Sequence, residues 1–224
     1  MTRRLAELEN KHAGKECWVV GRGPSLDNID PQSITGPRIY MNRTAFVLPA
    51  SADETYWMVN DNTWLMGDGG MWNEYLEMVR NGCGVIGVFR NPMYVWKLGA
   101  DGSFKMNWVE TPAPAGDNII YWDGSKPINP DALYYMREEV TQRNMLYSQR
   151  GSLCIAVHLA WYMGCEVIHM VGIDGTVGHA EIMKPQFRED ELDVTNQRRN
   201  KYSPHKEVAM KAAKQLNMKV VDYS

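Results

Sequence analysis

The stretch CWVVGRGPSLDNID, Cys17 to Asp30, decides how the chain is read. An apolar run, Trp18–Gly21, enters a turn with glycine at 21 and 23, proline at 24 and serine at 25. Trp18–Val20 has the composition of a strand buried on both sides, and the glycines allow the backbone to approach a neighbour closely. The turn matches neither common phosphate cradle. The third glycine of G-x-G-x-x-G is replaced by Leu26, and no Lys-Ser or Lys-Thr follows as a P-loop requires. Pro24 removes an amide proton, so this turn offers fewer donors than a P-loop nest.

Outward from that turn, the apolar runs Arg38–Asn42, Thr55–Asn60, Gly84–Phe89, Glu166–Asp174 and Met218–Ser224 read as strands. Helical patterns cover Thr2–Lys11, the second half of Asn62–Gly82, Pro130–Arg143, Ser152–Gly164 and Ser203–Asn217, the last opening on Ser203 and Pro204. Strands alternating with helices predict an α/β, Rossmann-like fold. It has a mostly parallel sheet with helices on both faces, in one nucleotide-binding domain over 1–224. Residues 91–130 mix Pro, Gly and Trp and predict an irregular, hairpin-containing excursion over the sheet. The polar segment 184–202 predicts a C-terminal lid.

The chain has 224 residues, 44% hydrophobic and 23% charged, with a net charge of −3. That balance gives no sign of a nucleic-acid partner. No run approaches the ~20 apolar residues of a membrane helix, and no signal peptide is recognisable, so a cytoplasmic protein without an integral membrane segment is expected. Cys17, Cys83, Cys154 and Cys165 are scattered in apolar segments and read as buried thiols of a reducing compartment, not as a zinc site.

Ligands of open α/β sheets sit beyond the carboxyl ends of the strands. The strands deliver Gly21, Arg22, Gly23, Pro24 and Ser25, then Asn42 and Arg43, then Asn60 and Asp61, then Gly172, Ile173 and Asp174. Together these outline a polar crevice. Gly21, Arg22 or Ser25 touches a phosphate or sugar there; the alternative is a tight strand exit with Ser25 as a cap. Asn42 falls where a dinucleotide enzyme places its ribose-binding acid, and an amide argues against NAD. Gly151 and Ser152 present amide protons at a helix start, an anion site or ordinary capping, with Arg150 beside them. His158 and His169, inside apolar runs, read as satisfied core groups. His179 lies in a Gly-rich loop. His205 lies in the first turn of a helix, which favours the neutral imidazole a general base needs.

VVGRGPSLDNID, YMN, VND, GSLCIAVHLAWYMGCEVIHMVGID and SPHKEVAMKAAKQL, in this order, resemble the bacterial sialyltransferases that use CMP-sialic acid. They equally resemble the related 6-hydroxymethylpterin diphosphokinase-like family, which includes proteins tied to flagellin glycosylation. The resemblance covers both ends of the chain and not Asn91–Arg143. It implies that Gly21, Arg22, Gly23, Ser25, Asn42 and Asn60 hold the nucleotide, that Ser152 contacts the donor, and that His205 is the base. The chain departs from the sialyltransferase pattern at two tyrosines that stabilise the leaving phosphate. One position is Thr176 here, and the lid holds no tyrosine until Tyr202. Thr176, His179 and Arg150 are then the phosphate candidates.

The expected activity is a CMP-sugar-dependent glycosyl transfer to a small-molecule or glycan acceptor, with no metal or other cofactor. The alternatives are a diphosphokinase that needs Mg²⁺ on carboxylates such as Asp61 or Asp174, and a nucleotide-binding module without catalysis. The oligomeric state is left open.

Overall fold

The computed structural model describes residues 3–50, 54–60, 69–91, 93–98, 104–111, 116–123, 134–146, 151–175, 178–186 and 203–224. Ten strands are β1 (Arg3–Arg4), β2 (Glu16–Val20), β3 (Arg38–Met41), β4 (Thr55–Val59), β5 (Val85–Asn91), β6 (Met93–Leu98), β7 (Phe104–Thr111), β8 (Ile119–Asp123), β9 (Val167–Val171) and β10 (Lys219–Asp222). Among the described residues the α-helices are α1 (Gly69–Arg80), α2 (Arg137–Arg143), α3 (Ser152–Tyr162) and α4 (Ser203–Gln215). Eight strands form one sheet in the order β1-β8-β5-β4-β3-β2-β9-β10, and every pairing in it is parallel. This is the expected α/β, Rossmann-like arrangement.

Each interior strand contributes side chains to two separate cores, as a parallel sheet covered on both faces must. Val19, Ile39, Tyr56, Met58, Val88 and Ile120 pack with the apolar face of α3 and with Ala209 and Ala213 of α4. Val20, Tyr40, Trp57, Val59, Phe89 and Ile119 pack with Leu76 and Val79 of α1 and with Leu26 and Ile34. Nearly all of α3 is buried, which explains its lack of a polar face. Its last carbonyls are met by Arg137, whose Nη1 and Nη2 donate to Tyr162 O and Trp161 O at 2.6 Å each. A cation at a helix C-terminus is favourable for both its hydrogen bonds and the helix dipole.

The structure differs from the sequence-based expectation in three places. Within 91–130, β6 and β7 form an antiparallel hairpin of the kind expected there, but β8 is not part of an excursion: it is an integral strand of the main sheet between β1 and β5. Ile119–Trp122 is a buried apolar run, the signature of an interior parallel strand, hidden in the sequence by its Gly- and Pro-rich neighbours. The charged segment Thr2–Lys11 is not an α-helix. Arg3–Arg4 pairs with β8, and Leu5–Leu8 makes a 3₁₀ turn that buries Leu5 and Leu8 completely; the i, i+3 spacing of the two leucines suits that turn. Asn144, with φ +55°, ties this edge together. Its Oδ1 accepts Leu5 N–H at 2.8 Å, its Nδ2 donates to Tyr121 O at 2.8 Å, and its carbonyl accepts Asp123 N–H at 2.6 Å. Finally, His158 is a core group hydrogen-bonded to Tyr135 O at 2.9 Å, as expected, whereas His169 is only half-buried. It stacks on Trp18 at 4.6 Å and bonds Glu16 Oε2 at 2.7 Å.

Of the cysteines, Cys17, Cys154 and Cys165 are buried and Cys83 is half-buried, and all four are free thiols. Among the described residues, no helix is long and apolar enough to cross a membrane. Of the lid segment, Lys184–Gln186 ends a 3₁₀ helix, Glu181–Gln186, whose Ala180 and Met183 neighbourhood packs on the α1 face; the remainder lies outside the described residues.

The closest backbone approach is between Gly21 and Gly172. A Cβ on Gly21 would lie 2.3 Å from Gly172 O, and one on Gly172 would lie 2.4 Å from Gly21 O. Gly172 also has φ +68°. Gly21→Ala and Gly172→Ala are each expected to lose about 1–3 kcal/mol of stability, the usual cost of overpacking, with Gly172→Ala the worse because of its backbone conformation. Urea unfolding with unchanged m-values checks this; a neutral Gly21→Ala would show that the two loops separate freely.

Candidate functional site

β2 has β3 on one side and β9 on the other. The connection after β2 contributes Leu26 and Ile34 to the α1 face, and the chain after β9 meets that face with Ala180 and Met183 before α4 packs on the α3 face. From this pair the chain moves to β3 on one side and to β10 on the other, which makes the carboxyl ends of β2 and β9 the topological switch point where ligands of such sheets bind.

The loops leaving β2 and β9 are stapled there. Gly21 N–H donates to Val171 O and Gly23 N–H to Gly172 O, both at 2.8 Å. Ser25 Oγ donates to Asp174 Oδ2 at 3.0 Å and accepts Gly172 N–H at 2.9 Å, and Ser25 N–H reaches Asp174 Oδ1 at 3.0 Å. Ser25 is buried. Both side chains are therefore engaged with each other, and they shape the crevice instead of lining it with spare polar atoms. Gly23 is needed because a Cβ would stand 2.1 Å from Asp174 Oδ2.

Around this staple the fold gathers positive charge. His179 is buried, and its loop returns over the glycine turn, with Ala180 N–H bonded to Arg22 O at 3.0 Å. Burial, then the Arg22 guanidinium and, more weakly, that of Arg43, push the His179 pKa down to about 4, against a smaller opposing pull from the Arg22 carbonyl. Arg43 is itself 4% exposed. The sequence reading named Arg22 and His179, and it placed Arg43 at the end of the second strand beside Asn42 without giving it a role. Beside it, Thr44 is fully buried, and its Oγ1 has no hydrogen-bond partner among the described residues. Two fixed cations and a neutral imidazole at a switch point are suited to a phosphate or other compact anion.

Asn42 and Asn60 follow β3 and β4 at the same edge. Asn42 has φ +53°, a left-handed conformation that asparagine tolerates, and its carbonyl accepts Trp57 Nε1–H at 2.9 Å. Asn60 Oδ1 accepts Arg90 Nη1–H at 3.4 Å. A second cluster forms where α3 and α4 begin. Gly151 has φ +89°, and a Cβ there would sit 3.0 Å from His205 Nδ1. The half-buried His205 thus lies against the N-terminus of α3, beside Gly151 and Ser152. Next to it Lys206 is held by Asp222 at 2.6 Å. Arg150, Thr176 and Asp61 lie outside the described residues, as does Tyr202.

A surface depression of about 650 Å³ lined by Glu74, Glu77, Met78, Asn81, Gly82 and Cys83 lies at the other end of the molecule, where α1 ends and β5 begins. It combines carboxylates and a thiol at the amino edge of the sheet, so the carboxyl edge is the better candidate on chemical grounds.

His179 reports on this pocket. In the folded chain it stays neutral down to about pH 4, whereas the unfolded chain protonates it near 6.5. It therefore contributes a loss of stability as pH falls through that window and none above it. Its C2–H resonance is expected to titrate near pH 4, and to move upward in Arg43→Gln, which removes a repelling charge, or when inorganic phosphate binds. An ordinary midpoint that ignores phosphate would place His179 outside the pocket.

No protein-family model matches the chain, and no curated protein or solved structure matches it. What the site does is carried by its own geometry.

Proposed function

We propose that the chain is a cytoplasmic transferase that binds a nucleotide donor along the carboxyl edge of its sheet, most concretely a CMP-sugar-dependent glycosyltransferase of the sialyltransferase-like kind. The observation that carries this reading is the meeting of Arg22, Arg43 and His179 above the β2–β9 switch point. Arg22 and Arg43 neutralise the donor phosphate, and the neutral His179 beside them adds no further charge. Gly21 and Gly23 keep the backbone low enough for the donor to lie across the strand ends. Asn42 and Asn60 supply amide contacts to the nucleoside without the acid that an NAD ribose favours.

The second half of the reaction belongs to the α3–α4 cluster. His205 accepts the proton of an acceptor hydroxyl. The acceptor oxygen bonds the anomeric carbon as the bond from that carbon to the phosphate oxygen breaks, and CMP leaves with the electron pair. Ser152 and the amides that open α3 orient the donor. The diphosphokinase alternative is disfavoured by one specific observation. Asp174, one of the two carboxylates it would use for Mg²⁺, is engaged with Ser25.

Two measurements test the proposal. In a thermal-shift panel, CMP and CTP are expected to raise the melting temperature more than ATP, GTP or NAD. At 100-fold excess over Kd the stabilisation is about 2.7 kcal/mol. A larger shift with ATP that needs Mg²⁺ would favour the diphosphokinase instead. On a donor–acceptor pair that turns over, His205→Ala is expected to lower kcat by about 10²–10⁴ with CMP affinity little changed. Full activity in that variant would sink the base assignment, and binding without turnover for any acceptor would leave a nucleotide-binding module.

A further inference from the structure

After β3 the chain makes a 3₁₀ turn, Asn42–Phe46, which carries Asn42 and Arg43 to the carboxyl edge. Asn42 opens it with φ +53°, a left-handed start that asparagine tolerates but that its surroundings must hold. The holding group is Trp57 of β4, whose indole Nε1–H donates to the Asn42 carbonyl at 2.9 Å. At the other end of the turn, the Phe46 ring stands edge-on to the same indole, with 5.5 Å between centroids. Both ends of the turn are therefore seated on one side chain.

That side chain is itself fixed. Trp57 is fully buried on the α1 face. Tyr75 of α1 and Phe89 of β5 meet it at 88° and 86°, with centroids 4.7 and 5.0 Å away. Edge-to-face contacts are directional, so rings from three different elements set the plane of the indole and with it the direction of the N–H. Tyr40 pairs level with Trp57, and the indole reaches from there to the residue two positions farther along β3.

We infer that Trp57 is a positioning residue for the proposed nucleotide site, its indole N–H locking the left-handed turn that presents Asn42 and Arg43. The inference rests on the reading of those two residues as donor contacts. The Asn42 carbonyl belongs to the peptide unit that enters Arg43, so fixing it fixes where the Arg43 side chain starts. Arg43 is buried, and its charge is felt at His179. Without the indole donor the Asn42 carbonyl loses its partner, and Asn42 relaxes toward the extended region that strands favour. Arg43 then moves away from its place beside His179. Trp57 lies beneath the turn and acts through Asn42, not on the ligand.

The test replaces Trp57 alone by β-(3-benzothienyl)alanine, which keeps the bicyclic shape and lacks the N–H, with Trp57→Phe made in parallel. In the isosteric variant CMP affinity is expected to fall about tenfold, as for a lost hydrogen bond that leaves its acceptor unpaired. The amides of Val47 and Leu48, which donate to Thr44 O, are expected to exchange with solvent faster, while those of β4 and β5 do not. A residue that only packs would leave both readouts where they are, because the shape is kept. Unchanged exchange at Val47 and Leu48 in the isosteric variant overturns the inference, and so does faster exchange with unchanged CMP affinity. Should Trp57→Phe fail to fold, the isosteric variant decides. If the wild-type chain binds no CMP, the donor reading fails, and the exchange measurement alone decides whether Trp57 holds the turn.

Discussion

The contact between Gly21 and Gly172 is the constraint on which the rest of the crevice depends. The first residues beyond β2 and β9 pass each other without side chains. Here the two backbones come so near that neither position admits a Cβ. The Ser25–Asp174 pair then closes the arrangement, with the Ser25 hydroxyl both donating to the carboxylate and accepting Gly172 N–H. A carboxylate that accepts several protein hydrogen bonds is a rigid element. It explains how a turn with a proline and few free amides can still act as a platform: its donors are spent on holding a shape, and the ligand contacts pass to side chains around it.

That transfer of roles gives the edge its charge pattern. Arg22 projects from the stapled turn, and Arg43 follows the left-handed Asn42, so their positions are inherited from backbone that cannot easily move. His179 reaches them because its loop is bound to the Arg22 carbonyl. A neutral, sheltered imidazole is the consequence first of its burial and then of the guanidinium charges of Arg22 and Arg43. Farther along, α3 and α4 start above the same edge because helices that follow parallel strands run back antiparallel to them, and this brings His205 against Gly151. The polar strand ends and the His205 cluster are thus two products of one topology.

Much of the fold was legible in the sequence because interior parallel strands announce themselves as unbroken apolar runs. β2 and β9 are found at once, and so is α3, whose small and apolar residues on every face mark a buried helix. β8 was harder. Its five residues are just as apolar, but they stand among Trp, Gly and Pro that carry no period, and only the sheet order reveals where they belong. β1 was invisible, because two arginines become a strand only through pairing with β8. The site was legible as a list of strand ends: Gly21, Asn42, Asn60 and Asp174 all lie at the carboxyl edge. The list could not say which groups face the crevice and which face each other. Ser25 and Asp174, 149 positions apart, meet only in three dimensions. Arg43 stood in the list without a role and Arg90 escaped notice, because an arginine after a strand is ordinary on a surface; burial distinguishes the first and stacking on Trp122 the second, and neither is a property of a short window.

The polar groups along the carboxyl edge are placed by the sheet order. Arg22 and Arg43 belong to the loops after β2 and β3, and Arg90 belongs to the end of β5. Asn42 and Asn60, after β3 and β4, add directional amides without adding charge. Arg90 is half-buried, with its guanidinium over the Trp122 ring and Nη1 bonded to Asn60 Oδ1, so its place follows from the register of β4, β5 and β8. An edge whose charges are set by strand register keeps its pattern only as long as the sheet keeps its order.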